Sequence, residues 1–454
     1  RKTRTAVPPG QPRRGGRGRP PPPPGRGGAG GAFRGSSRLQ GFWGRVRGGQ
    51  QMPPRLPPPP APLLADLDPP IESKSAVESS PLRPRPPAPP PAESDIAPAL
   101  LTWWDANRAD LPWRRATDPY AIWIAEVMLQ QTQIATVVPY YERWLARFPT
   151  VEALAAASLD DVLKAWQGLG YYSRARNLHA AAQRIVADHG GQLPNTLTDL
   201  LKLPGIGRYT AGAVASIAYG VRAPVLDGNV IRVLSRVFDV ADDVTQPATR
   251  ERLWQLADDL VPAARPGDFN QALMELGQAI CVPQAPRCLI CPLAAVCLAR
   301  RRGTQLERPV RPPRRKTPHY DVVAAVIWRD QEPTPGGQFL IAQRPHAGLL
   351  GGLWEFPGGK VESGETLPDA LRREIEEELA IEVTPGDFLV EVAHAYTHFR
   401  ITLRAFHAAY AGGEPQHLGV ADHAWVTLAE VERYAFAVTD LKIIAALRQL
   451  LLPD

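Results

Sequence analysis

The chain has few cysteines. Across 454 residues there are four, Cys281, Cys288, Cys291 and Cys297, all in one short segment, so no disulfide framework can span the molecule. A reducing, intracellular setting, cytoplasm or nucleoid, is the expectation. Long apolar runs are also missing. None approaches the roughly 18 residues that a membrane span needs, which predicts a soluble chain with no membrane partner. Acidic residues are absent from Arg1 to Ala65, and no convincing strand pattern occurs between Ile96 and Ala299. The formal net charge of +6 and the isoelectric point near 9.2 favour a polyanionic partner, although much of the excess is local.

Composition divides the chain into four parts. Residues 1–95 are rich in Arg, Gly and Pro and offer little to bury, so they read as a disordered tail. The sequence starts on Arg1 and its first Met is Met52; part of the tail is expected to lie outside the mature protein, and no function is placed there. Residues 96–299 show Trp, Leu and Ala at helical spacing. Residues 300–318, RRRGTQLERPVRPPRRKTP, read as a basic, Pro-rich interdomain linker near a polyanion, and strand patterns first appear in 319–454.

Within the helical part, Leu197, Leu200, Leu201 and Leu203 predict a short amphipathic helix. Pro204-Gly205-Ile206-Gly207 breaks it, and an Ala-rich pattern resumes to Tyr219. Gly205 and Gly207 would let the backbone take positive φ and lie against another polymer. The free amides at the next helix start, beside Arg208, suit a phosphate. Such contacts position a duplex without reading its sequence. Asp227, after a break at Pro224, stands where Gly228 to Val237 predicts a helix. An Asp there accepts amide hydrogen bonds and should stay ionised, as a plain N-cap would too.

This hairpin, helix and Asp resemble the endonuclease III superfamily of base-excision DNA glycosylases, in which the corresponding Asp faces the sugar of an extruded nucleotide. EVMLQQTQIATVVPYYERW and GLGYYSRARNL narrow the resemblance to MutY-type adenine DNA glycosylases, over about Leu100 to Cys297. By that resemblance Glu126 protonates the adenine, Gln130 and Gln131 enter the duplex around the lesion, and Tyr171 wedges beside 8-oxoguanine. From the residues alone, Glu126 shares a helix face with Ile122, Trp123, Leu129 and Gln130. That setting raises a carboxyl pKa as a general acid requires; a surface salt bridge is the plainer alternative. Tyr209 occupies the place where the endonuclease III branch carries a Schiff-base Lys. A phenol cannot form one, so monofunctional hydrolysis leaving an abasic site is expected.

The spacing C-x6-C-x2-C-x5-C is uneven, with Pro283, Pro286 and Pro292 forcing a loop, and resembles the superfamily's [4Fe-4S] loop more than a zinc site of two short pairs. Further on, GGLWEFPGGKVESGETLPDALRREIEEELAIEV resembles the Nudix box of MutT, with Gly359, Glu365, Arg373, Glu374, Glu377 and Glu378 in place and Ala380 where the motif has Gly. Glu374, Glu377 and Glu378 at i, i+3 and i+4 suit magnesium. In the MutY family this domain reads 8-oxoguanine; Thr439 matches the family's lesion-reading Ser, while Asp440 replaces its His.

The fold class expected is therefore multidomain: an all-α helix-hairpin-helix glycosylase domain with an iron-sulfur loop at 281–297, then an α/β Nudix domain. The expected activity is excision of adenine opposite 8-oxoguanine or guanine in double-stranded DNA by a monomer. A Nudix pyrophosphohydrolase of oxidised nucleoside triphosphates is the alternative.

Overall fold

Twelve α-helices come first in the described residues. They are α1 Glu93–Asn107, α2 Pro119–Leu129, α3 Ile134–Arg147, α4 Val151–Ala156, α5 Leu159–Trp166 and α6 Ser173–His189. Then follow α7 Leu197–Leu200, α8 Arg208–Tyr219, α9 Gly228–Val237, α10 Pro247–Leu260, α11 Pro266–Ala279 and α12 Leu298–Arg302. The structure is a computed structural model that describes residues 93–313, 316–330 and 332–452. The tail expected over 1–95 lies outside the described residues, save 93–95, which open α1.

Helix α2 starts as its sequence predicts. Asp118 accepts from the Tyr120 amide at 3.0 Å, and Pro119 fills the first helical position, where a missing N–H costs nothing. Every residue from Tyr120 to Met128 is buried. A helix apolar all round belongs in the middle of a domain, and α2 packs against α3, α6 and α8. The expected helix over Leu197–Leu203 is shorter than its leucine spacing suggests: α7 is one turn, capped by Thr196. Pro204 explains the early stop, because its ring disfavours helical backbone at Leu203. Gly205 then turns at φ +73°, where a Cβ would sit 2.5 Å from Asn177 Cβ.

The helices bury two adjoining cores, one built largely on α2 to α8 and one on α1 and α8 to α11. The segment expected as a basic interdomain linker is partly docked on the second. Helix α12 runs to Arg302, the largely buried Arg308 pairs with Asp239 at 2.9 Å, and the Val244 amide donates to Val310 O at 3.1 Å. This connector is held by a buried ion pair and a backbone bond, features that basic and Pro-rich composition does not reveal.

Six strands follow: β1 His319–Trp328, β2 Phe339–Gln343, β3 Trp354–Glu355, β4 Glu382–Ala395, β5 Arg400–Gly412 and β6 Asp422–Val426. They form one mixed sheet in the order β3-β2-β1-β5-β4, with β6 also on β2 and β1 parallel to β5. Period-two alternation sends Val323, Ala325 and Ile327 to one face under α13 (Leu367–Leu379), and Ala324, Val326 and Trp328 to the other under α14 (Val438–Leu451). The described residues fall in one compact unit. Leu353, Ala435 and Ala437 join the first helical core, and Lys164 Nζ to Tyr434 O (2.8 Å) and Arg176 to Gly351 O (2.6 Å) seal the seam. Among the described residues no helix is long and apolar enough to cross a membrane.

Candidate active site

The central position of α2 determines the state of Glu126. Its side chain is 6% exposed and accepts a 2.9 Å hydrogen bond from Tyr209 Oη on α8. Burial pushes its pKa up to about 7; the Tyr209 hydrogen bond opposes the rise and the charge of Asp227 adds to it. The Tyr209 phenol is itself held protonated, its pKa far above the usual value because of burial and the two nearby carboxylates. Asp227 caps α9, accepting from the Val230 amide at 2.7 Å and from Asn229 Nδ2 at 2.8 Å.

A helix start alone would hold the Asp227 pKa down. Instead burial raises it, against the opposing hydrogen bonds of Val230 and Asn229 and the charge of Arg232. Val230, Asn229 and Arg232 all favour the Asp227 anion, whereas Glu126 sits buried against a single phenol, so the two carboxylates are set up for unlike roles. Both carboxylates line a single cleft of about 850 Å³ together with Gln130, Gln131, Gly205, Gly207 and Tyr209. Gln130 Nε2 bonds Thr210 Oγ1 at 3.0 Å, and the exposed Gln131 sits at the cleft with φ +58°.

Of three further expected contacts, Thr439 is placed where it cannot be made, whereas Arg208 and Tyr171 stay at the surface. Arg208 does not line the cleft; it pairs with Glu251 at 2.8 Å and lies 4.2 Å over the Trp254 ring. Thr439, expected to touch DNA, is only 3% exposed and donates to Asp440 at 3.0 Å beneath the sheet, so it presents no surface to a duplex. Its match was to a loop pattern, whereas its burial depends on packing that sequence does not show. Tyr171 is 41% exposed with φ +48°, and its hydroxyl bonds Thr397 Oγ1 in the β4–β5 turn of the sheet domain.

Sequence reasoning missed the side chains that hold these residues in place. Arg174 donates to the carbonyls of Val127 (3.0 Å), Met128 (2.9 Å), Gln130 (2.7 Å) and Gly170 (3.1 Å), tying the end of α2 to the loop that carries Tyr171. Asn229 Oδ1 accepts from Arg232 Nη2 at 2.8 Å, and Arg232 Nε donates to Cys281 O at 2.7 Å, so the cap at Asp227 is linked to the cysteine loop. No local pattern marked either arginine, because their acceptors are mostly backbone carbonyls distant in sequence.

Cys281, Cys288, Cys291 and Cys297 line one cavity with apolar walls from Val233, Leu276 and Leu293, and Arg236 Nη1 stands 3.3 Å from Cys281 Sγ. Among the described residues no three of these sulfurs come within 4.8 Å of one another. A tetrahedral zinc with Zn–S of about 2.3 Å needs sulfurs roughly 3.8 Å apart, so the donor set suits a larger, polynuclear group.

On α13 the three carboxylates go to different surroundings. Glu377 is exposed and pairs with Arg373 at 3.2 Å; Glu374 lies between Arg373 (3.1 Å) and Gly359, where a Cβ would be 2.2 Å from its carboxyl carbon. Glu378 is mostly buried with Oε2 unpartnered. The structure does not bring the three together as a ready magnesium site.

Comparison with known proteins agrees with this geometry. Residues 124–259 match the HhH-GPD superfamily of base excision DNA repair proteins, and residues 324–446 match the NUDIX domain. Fold and cleft together define a base-excision DNA repair glycosylase of the helix-hairpin-helix class with a C-terminal NUDIX domain. Adenine DNA glycosylase of Rattus norvegicus is 39% identical over 392 residues, 76% of this chain and 76% of that protein. That of Homo sapiens is 39% identical over 396 residues, 76% of this chain and 72% of that protein. A thermostable thymine-DNA glycosylase of known structure is 30% identical, covering 46% of this chain and 97% of its own, with a TM-score of 0.43. The chain belongs to the adenine DNA glycosylase family.

Proposed function

We propose that this protein excises adenine mispaired with 8-oxoguanine or guanine in duplex DNA, hydrolysing the N-glycosidic bond and leaving the strand intact. The observation that carries this reading is the single cleft lined by a neutral-range acid, Glu126, and a capped anion, Asp227. Extruding a base costs a few kcal/mol, and the lip residues Gln130 and Gln131 with the exposed Tyr171 ring are suited to stabilising the opened duplex. The amides at Gly205 and Gly207 meet phosphate. Inside the cleft Glu126 donates its proton to an adenine ring nitrogen, so the base departs neutral. Asp227 stabilises the positive charge that develops on the sugar, and water completes the substitution.

Tyr209 keeps its proton, orients Glu126 and offers no amine for a Schiff base. Cys281, Cys288, Cys291 and Cys297 would hold a [4Fe-4S] cluster, which when bound staples the loop that Arg232 and Arg236 grip and supplies redox-active iron. The NUDIX domain serves to read the opposing base, a role supported by the contact of its β4–β5 turn with Tyr171.

The purified protein is tested on duplexes carrying adenine opposite 8-oxoguanine, guanine or thymine, with strand breaks scored before and after alkali. Breaks only after alkali, and only with the first two partners, are expected. Breaks without alkali would overturn the hydrolytic reading, and no base release from any duplex would overturn the assignment of substrate.

A further inference from the structure

Away from the cleft, another group of metal-ligating side chains stands on the NUDIX domain. Strand β6 opens with Asp422 and His423, and His417 faces them from the preceding loop, with one donor atom of each within 4.8 Å of the other two. His417 Nε2 lies 2.9 Å from His423 Nδ1, and Asp422 Oδ1 lies 3.8 Å from His417 Nε2. Among the described residues no other trio of His, Cys, Asp or Glu meets this spacing.

The backbone fixes the donors. Asp422 and His423 pair with Gln343 and Ala342 of β2, and the Ala421 amide donates to Gln343 O at 2.7 Å. The loop that carries His417 is pinned on both sides: Gln416 N reaches Leu379 O at 2.8 Å, and Leu418 N reaches Glu378 O at 3.1 Å. Consecutive strand residues normally point to opposite faces, yet the His423 amide donates to Asp422 Oδ1 at 2.8 Å, drawing that carboxylate back toward the rings.

Two imidazole nitrogens facing each other at this distance can share only one proton, which leaves one lone pair used as acceptor and the other nitrogen as donor. A cation between them would engage both lone pairs. A tetrahedral zinc with Zn–N of about 2.0–2.1 Å sets ligand nitrogens roughly 3.3 Å apart, so the rings need part by only a few tenths of an ångström. Two nitrogens and one carboxylate oxygen, with His417 and Asp422 exposed so that water can complete the shell, suit zinc; magnesium and calcium prefer all-oxygen sites.

We propose that His417, Asp422 and His423 form a zinc-binding site, separate from the cysteine loop, that ties the loop before β6 to the edge of the NUDIX sheet. That edge faces the helical domain. Asp160 on α5 accepts from Gln343 Nε2 at 3.3 Å, joining that edge to the helical domain.

The full-length protein with its cysteine loop loaded is titrated with Co²⁺ as the zinc probe, in excess Mg²⁺, and compared with the double variant His417→Gln/His423→Gln. One additional equivalent in the unsubstituted protein is expected, with visible bands of nitrogen and oxygen ligation and no thiolate charge transfer. Asp422→Asn, which keeps the shape, should weaken the site at least about tenfold. The thermal midpoint of the metal-free variants reports whether they fold; should the double variant fail, Asp422→Asn decides. Equal Co²⁺ stoichiometry with and without the two histidines, unchanged affinity in Asp422→Asn, thiolate bands, or displacement by Mg²⁺ would each overturn the proposal.

Discussion

The helical cleft and the Arg373 cluster of the NUDIX domain both gather carboxylates, and they treat them in opposite ways. In the cleft, Glu126 is buried with a phenol as its hydrogen-bond partner, and the nearby Arg114 is occupied by Glu275. On α13, Arg373 neutralises Glu365, Glu374 and Glu377 at 2.8–3.2 Å. An acid left without a cation beside a cavity keeps a titration available for chemistry. Acids shared around one guanidinium stabilise a helix face instead. Glu378, on the same helix but outside the reach of Arg373, is mostly buried with Oε2 unpartnered, and burial pushes its pKa up to about 7, so it resembles Glu126 more than its neighbours.

The sharpest way to break this contrast is to remove one charge from each place. Glu126→Gln deletes the proton donor while keeping the shape, and base release should fall on the order of a hundred- to ten-thousand-fold with duplex affinity retained. Asp227→Asn keeps an acceptor for the Val230 amide but loses the anion, and a comparable loss is expected. Single-turnover rates together with duplex binding check both; near-normal rates in either variant would end the roles assigned here.

A smaller effect follows from the Glu126 titration. Its pKa is raised from the ordinary carboxyl range to about 7, and the protonated form is the active one, so base release should hold below that pH and decline above it, about tenfold per unit. The Tyr209 hydrogen bond lowers this pKa, so Tyr209→Phe should move the alkaline limb to higher pH. A pH–rate profile of the two proteins checks the sign, and a limb that moves to lower pH would contradict it. By contrast, Glu377→Gln on the exposed side of α13 should change base release less than twofold. With magnesium and 8-oxo-dGTP, neither that variant nor the unsubstituted protein should release pyrophosphate above background. Hydrolysis lost on this substitution would restore the nucleotide-hydrolase reading of the NUDIX domain.

The same contrast marks what could be read from sequence. Local chemistry was legible: Asp118 and Pro119 open α2, Asp227 caps α9, and the first strand falls in the part where strand patterns first appear. Glu126, Tyr209 and Asp227 were legible because each sits in a motif whose neighbours constrain it. Thr439 was misplaced because its surroundings include Tyr396, which hydrogen-bonds it, and Phe356, whose amide donates to the adjoining Asp440, both distant in sequence. Arg174 and the link from Asp227 through Asn229 and Arg232 to Cys281 were invisible for a related reason, since a buried guanidinium gives no periodic signal and its acceptors are carbonyls far along the chain. The docked connector was missed because composition reports solvation, not the partner Asp239 that waits for Arg308.

The smallest effect concerns Ala380, the one residue of the NUDIX box that departs from its pattern. It ends α13 in the left-handed region at φ +55°, with its amide donating to Glu376 O at 2.9 Å. A Cβ there costs roughly 1–2 kcal/mol, whereas glycine adopts the conformation freely but gives up about 0.5–1 kcal/mol through its looser unfolded chain. Ala380→Gly should therefore stabilise the protein by about 1 kcal/mol or less, read as a modest rise in the denaturation midpoint with base release unchanged. Destabilisation would mean that the alanine methyl earns more by packing than the backbone loses by strain. The motif's glycine would then not be what the end of this helix requires.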